Sequence, residues 1–286
     1  MTKNKLISII VTVSILTIAI VCIVIGVATD SPKEEYINDI AHHVSLLETE
    51  FSVETSFKPK YEDATVPDIF KAARKYDSAS AALMTSIHFN GAQKTTTGYK
   101  TTFTVTYAMS MQDYNSLYYW IEENILSTIT ATNDYDKAKE LYNYIIDNCT
   151  TGDNGNPANL LKGNKTGNQQ AYAIAYKMLL DAAGIDSEYV YKKGYHWNIV
   201  ELDGMWFNVD VYRADYYDSI DYKYFMQGKK NWDGYSGSEA TSPYAYNSES
   251  PATTTALYYI YYTILHLGWP LATIVFIIIL FNRKKL

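Results

Sequence analysis

The chain has 286 residues, a formal net charge of −7, 48% hydrophobic residues, and no repeated or low-complexity block. All 31 Asp and Glu lie between residues 29 and 256, with only 19 of the 24 Lys and Arg, so this middle part carries −12. A domain of that charge is a poor partner for nucleic acid or anionic lipid, and the composition suits one globular domain flanked by apolar segments.

The first element is an uncharged run from Leu6 to Ala28. As a helix it would span roughly 35 Å, enough for a bilayer core. Lys3, Lys5 and Gly26-Val27-Ala28 would also suit a cleaved leader, but the run exceeds a leader's apolar core, which favours a retained anchor. Ser31-Pro32-Lys33-Glu34-Glu35 is a helix start, and the helix is expected to reach Phe51. His42 and His43 on it point about 100° apart and cannot face one metal together. Phe51 to Thr65 reads as polar and irregular, and Val66-Pro67-Asp68 opens a short helix ending near Tyr76. Ala81–Asn90 and Tyr99–Met109 read as an antiparallel pair; the second alternates Thr101, Phe103, Val105 and Tyr107 against Thr and Ala.

From Ser110 the period becomes helical. Leu117, Trp120, Ile121 and Ile125 mark one helix, and Ala138, Leu141, Tyr142 and Ile145 mark a second over Tyr135–Asn148, capped by Asn133-Asp134. Of the two cysteines, Cys22 lies in the first apolar run and Cys149 at the end of the second helix, so the middle domain has no internal disulfide. With one Cys and four dispersed histidines it offers no Cys/His zinc cluster, and no metal or other cofactor is expected. At a helix C-terminus Cys149 would keep its proton rather than act as a nucleophile. Asn148-Cys149-Thr150 and Asn164-Lys165-Thr166 match the N-glycosylation pattern.

After a turn-rich loop and one helical turn at 158–161, a helix is predicted over Gln169–Ala183. Three strands follow: Ser187–Lys192, Trp197–Leu202 and Met205–Val211, with Asp203-Gly204 as the two-residue hairpin signal. Tyr222–Met226 suggests a further short helix, and the Ser-, Gly- and Tyr-rich segment beyond it a tether. Leu257–Phe281 is a second apolar run, opened by an interfacial-looking Tyr cluster and closed by Arg283-Lys284-Lys285. The positive-inside rule then puts both termini in the cytoplasm and the middle domain outside, held at the cell membrane by two spans. The expected division is a span at 6–28, a helix and strand-pair region at 29–110, a core domain at 111–232, a tether at 233–256 and a span at 257–281.

From about Thr101 to Trp232 the order of elements and motifs resembles the transglutaminase-like family, a papain-like cysteine-nucleophile fold. The resemblance is carried by Asp134-Tyr135-Asp136-Lys137, Asn148, Gly167, Tyr172-Ala173, Gly184-Ile185, Trp197-Asn198, Leu202-Asp203-Gly204-Met205-Trp206-Phe207 and Val209-Asp210. It implies an α+β fold whose central helix packs on a small antiparallel sheet. It also implies a Cys at that helix's N-terminus, where dipole and N–H groups acidify a thiol, with a His and an Asp completing a triad. Here the Cys position aligns with Gln169 and the His position with Tyr195; Asp210 alone is kept. His196 is next door, but neighbours on a strand face opposite ways, so only a bulge would bring it to the place of Tyr195.

The favoured expectation is therefore an outward-facing domain without its own acyl-transfer chemistry, binding a peptide, protein or cell-wall ligand. Its cleft would lie between Gln169, Tyr195 and Asp210, with Gln170, Tyr172, His196, Trp197 and Trp206 as further contacts. The alternatives are an active relative using His196 and Asp210 with an unrecognised nucleophile, and an accessory subunit of a membrane complex.

Overall fold

The structure is a computed structural model and describes residues 30–217, 222–234 and 237–249. The two apolar runs expected as spans, 6–28 and 257–281, lie outside the described residues. Among the described residues no helix is long and apolar enough to cross a membrane.

The described residues open with α1 (Pro32–Ser45), where Ser31 and Glu34 form a reciprocal capping box. It continues into β1 (Glu50–Thr55), α2 (Val66–Ala73), a single turn α3 (Ser78–Ala81), β2 (Met84–Lys94) and β3 (Tyr99–Tyr107). The three strands form an antiparallel sheet in the order β1-β3-β2. The strand β1 corrects the expected irregular stretch from Phe51. Phe51 and Val53 are buried, and Phe51 stacks on Phe103 of β3, its partner in register, at 5.2 Å. Cross-strand pairing of this kind, which a six-residue window does not carry, makes the strand.

The second half holds α4 (Met111–Asn124), α5 (Asp134–Asn148), β4 (Thr150–Thr151), α6 (Pro157–Leu161) and β5 (Thr166–Gly167). Then come α7 (Gln169–Ala182), β6 (Ser187–Lys192), β7 (Tyr195–Leu202), β8 (Met205–Val209) and α8 (Val211–Tyr216). β6, β7 and β8 form an antiparallel sheet in chain order, and β4 pairs with β5 in parallel just ahead of α7. Asp203 and Gly204 both have positive φ, 52° and 76°, as a type I′ turn requires, so the expected two-residue hairpin forms. The result is the expected α+β core, a central helix on a small antiparallel sheet.

Every residue of α7 from Ala171 to Leu180 is buried, Lys177 among them. A helix that is apolar on all sides has neighbours on all sides, and α7 contacts α4, α5, α6, α8, β6 and β7. Lys177 lies inside because Asp181 one turn on meets its ammonium at 2.5 and 2.7 Å, and the Tyr118 hydroxyl donates to the same carboxylate at 3.2 Å. A buried ion survives only when paired in this way.

Two further expectations are corrected after β8. The segment 222–226 is a chain of turns with positive φ at Tyr222 and Met226 rather than a helix. The described part of the expected tether is packed: Thr241 N–H donates to the Trp206 carbonyl at 3.0 Å, and Ser242 is fully buried. Asn208 fastens this return. Its Oδ1 accepts from Trp197 Nε1 and from Glu239 N–H, each at 3.1 Å, and its Nδ2 donates to Ser238 Oγ at 2.6 Å.

Candidate functional site

Asn168 caps α7, its side chain accepting from Ala171 N–H at 3.0 Å, so Gln169 is the first residue of the helix. Gly167 just before it permits close packing. A Cβ there would lie 2.9 Å from the Ala171 Cβ and 3.1 Å from the Leu160 Cδ1. Asp210 lies between β8 and α8. Its carboxylate accepts from Arg213 N–H at 2.9 Å as the N-cap of that helix.

Burial pushes the Asp210 carboxyl up to about 7; the Arg213 N–H and charge and hydrogen bonding from the Gln169 side chain oppose the rise. The structure therefore brings together the ends of α7 and β8, as the resemblance implies, with an amide where a thiol would stand. What Asp210 does there is hold a helix N-terminus. The helix α8 escaped sequence reading because Val209-Asp210-Val211 continues the strand alternation; Asp210 as an N-cap residue type was the signal available.

The register of β7 against β6 and β8 runs unbroken from Tyr195 to Leu202, so no bulge re-aims His196. Tyr195, Trp197 and Ile199 share one face, and Tyr195, like Trp206 and Trp232, packs against the small buried cluster of Val190, Trp197 and Ile199. His196, Asn198 and Val200 take the other face; Asn198 Nδ2 reaches the Ala173 carbonyl of α7 at 2.9 Å. His196 itself is enclosed by tyrosines. The Tyr189 hydroxyl hydrogen-bonds Nδ1, and the Tyr191 ring lies 4.9 Å away. Burial holds its imidazole down at about 4. No hydrogen bond among the described residues joins it to Asp210.

The remaining expected contacts are engaged within the fold. Tyr172 and Trp197 are core residues, 1% and 2% exposed, and the Tyr172 hydroxyl is bonded to Asp215. Gln170 Nε2 donates to the Ala82 carbonyl at 2.5 Å, tying α7 to the chain ahead of β2. Trp206 is half-buried beneath the returning segment. Cys149 is buried with its thiol donating to the Leu160 carbonyl at 3.3 Å, and burial pushes it up to about 11. Among the described residues no group of three or more His, Cys, Asp or Glu is placed to hold a metal ion.

A cavity of about 670 Å³ lies elsewhere, past the C-terminal end of α7. Asp134, Tyr135, Asp186, Glu201, Asp203 and Tyr246 line it, with Tyr135 and Tyr246 stacked at 5.1 Å. The fourteen residues of α7 separate it from Gln169 by about 20 Å. Sequence reading placed no site there, because its carboxylates come from three separate stretches of chain.

Residues 123–211 match the family model of the transglutaminase-like superfamily. The match begins at the end of α4, includes α7 and the sheet, and stops one residue past Asp210. No curated protein matches the chain.

Proposed function

We propose that the chain is a membrane-anchored, outward-facing transglutaminase-like domain that binds a ligand and performs no acyl transfer of its own. The observation that carries this reading is the chemistry at the start of α7. An amide, Gln169, stands where the resemblance calls for a thiolate, and amides are not nucleophiles. Two further arrangements support it. Asp210 is spent on capping α8, and the only histidine of β7 has its Nδ1 occupied by Tyr189 within a pocket that suppresses protonation. A general base must be oriented toward the proton it removes, and no hydrogen bond among the described residues ties this histidine to Asp210. Cys149 offers no substitute, being buried and protonated at neutral pH.

Peptide, protein and cell-wall fragments are the ligand classes to screen. Two places compete for them: the Gln169–Asp210 junction, and the acidic cavity, whose volume falls in the usual range for ligand sites. Loss of binding in Gln169→Ala would assign the first, and in the pair Glu201→Gln and Asp203→Asn the second. The decisive assay incubates the full chain in detergent with glutamine-donor and peptide substrates. Hydrolysis or crosslinking that disappears in Gln169→Ala or Asp210→Asn would end the non-catalytic reading. Labelling of intact cells with a membrane-impermeant amine reagent tests the outward orientation.

A further inference from the structure

Two glycosylation patterns occur in this domain, and the fold treats them differently. Asn164 sits on the exposed turn between α6 and β5. Its Oδ1 accepts three hydrogen bonds: from Asn159 Nδ2 at 2.7 Å, from Thr166 Oγ1 at 2.8 Å and from Thr166 N–H at 3.1 Å. With the oxygen held on the protein side, Nδ2 makes no hydrogen bond among the described residues. The turn is itself fixed. Lys165 N–H donates to the Asn159 carbonyl at 3.1 Å, and the Lys165 carbonyl accepts from Thr150 at 2.8 Å.

Asn148 has the opposite disposition. Its Nδ2 donates back along α5 to the Tyr144 carbonyl at 2.8 Å. The middle residue of its pattern, Cys149, is buried and bonded to Leu160, and Thr150 belongs to β4. A substituent on Asn148 would break a hydrogen bond of the last turn of α5. One on Asn164 would break none.

We propose that Asn164, and not Asn148, is a glycan acceptor; this rests on the outward orientation proposed above. In the transfer, the bond between the sugar's C1 and the phosphate of a lipid-linked glycosyl donor breaks and a C1–Nδ2 bond forms. The amide proton passes to a base of the transferase, and the lipid phosphate leaves. The hydroxyl of Thr166, already bonded to the accepting side chain, is the second element the pattern requires.

The test uses the full chain isolated from its own cell membranes, read by intact mass and peptide mapping. The expected result is a glycan mass on the peptide containing Asn164, lost in Asn164→Gln and Thr166→Ala and kept in Thr166→Ser. The Thr166→Ser arm separates loss of the acceptor from loss of the fold. A bare Asn164, or a glycan found on Asn148 instead, overturns the assignment. Impermeant labelling of the same cells separates the two failures. If the reagent reaches the domain and Asn164 is bare, the acceptor assignment alone falls. If the reagent does not reach it, the orientation falls as well.

Discussion

The Tyr189 hydroxyl and the His196 imidazole form a closed pair under β6 and β7, while Asp210 lies at the end of β8 with different partners. The separation of these two titrating groups has a measurable signature. His196 is held at about 4, below its unfolded value near 6.5, so the unfolded chain binds the extra proton between those limits. Its contribution to stability is full above pH 6.5 and lost as pH falls, worth about 3 kcal/mol. Asp210 runs the other way. Raised to about 7, it contributes stability that is full below about pH 4 and lost as pH rises through 7, worth about 4 kcal/mol. Asp181 and Glu188, both also raised by burial, add to that second trend.

The two slopes oppose one another between pH 4 and 6.5. Urea midpoints of the wild-type domain are therefore expected to fall with rising pH across that window only by the part that Asp181 and Glu188 add. His196→Phe should expose a stability that falls with rising pH, and Asp210→Asn, which can keep the cap on α8, one that rises. Equal profiles for all three proteins would refute the assignment of these buried groups.

Gln169→Cys should produce an acidified thiol, because the residue opens α7, where free N–H groups and the helix dipole favour a thiolate. Alkylation followed by peptide mass is expected to modify it at least about 10-fold faster at pH 7 than Cys149, which burial protects. Adding Tyr195→His should accelerate it further if the aligned position faces the helix end. No gain from the second change would place Tyr195 outside the reach of α7.

Gly167→Ala should destabilise the domain by about 1–3 kcal/mol, because its methyl would press on Ala171 and Leu160 where β5 feeds into α7. Thermal melting checks this. The close approach explains why a glycine precedes the central helix here without any appeal to unusual backbone angles.

Asn208→Ala should cost about 2–4 kcal/mol, since it leaves the buried Trp197 N–H and the Glu239 N–H without their acceptor. Limited proteolysis should then cut within 228–246 faster than in the wild type. Unchanged proteolysis would mean that other contacts hold the returning segment.

Much of the core was legible because its local signals agree with its packing. Asn133 is the N-cap it reads as, Asp203-Gly204 is the turn it reads as, and the apolar run in α7 is buried where such a run must be. What escaped depended on partners distant in sequence. The strand β1 exists through β3, and Tyr222–Met226 buries Tyr224, Phe225 and Met226 as a helix would, yet its positive φ values bend it into turns. The site divided in the same way. The Gln169–Asp210 meeting followed from the family pattern, whereas the partners of His196 required knowing that Tyr189 lies opposite Asn198 on the neighbouring strand.

The packed return past β8 sets how freely an anchored domain could move. Three residues, 29–31, separate the first apolar run from the start of α1, a reach of about 10 Å at full extension. At the other end the described fold runs to Glu249, leaving residues 250–256, about 25 Å of chain, before the second apolar run. Under the anchoring proposed above, such clearances would confine the domain to the first layer above the bilayer and limit its rotation. Its ligands would have to lie within a few tens of ångströms of the lipid surface, and soluble partners would meet only the hemisphere turned away from it.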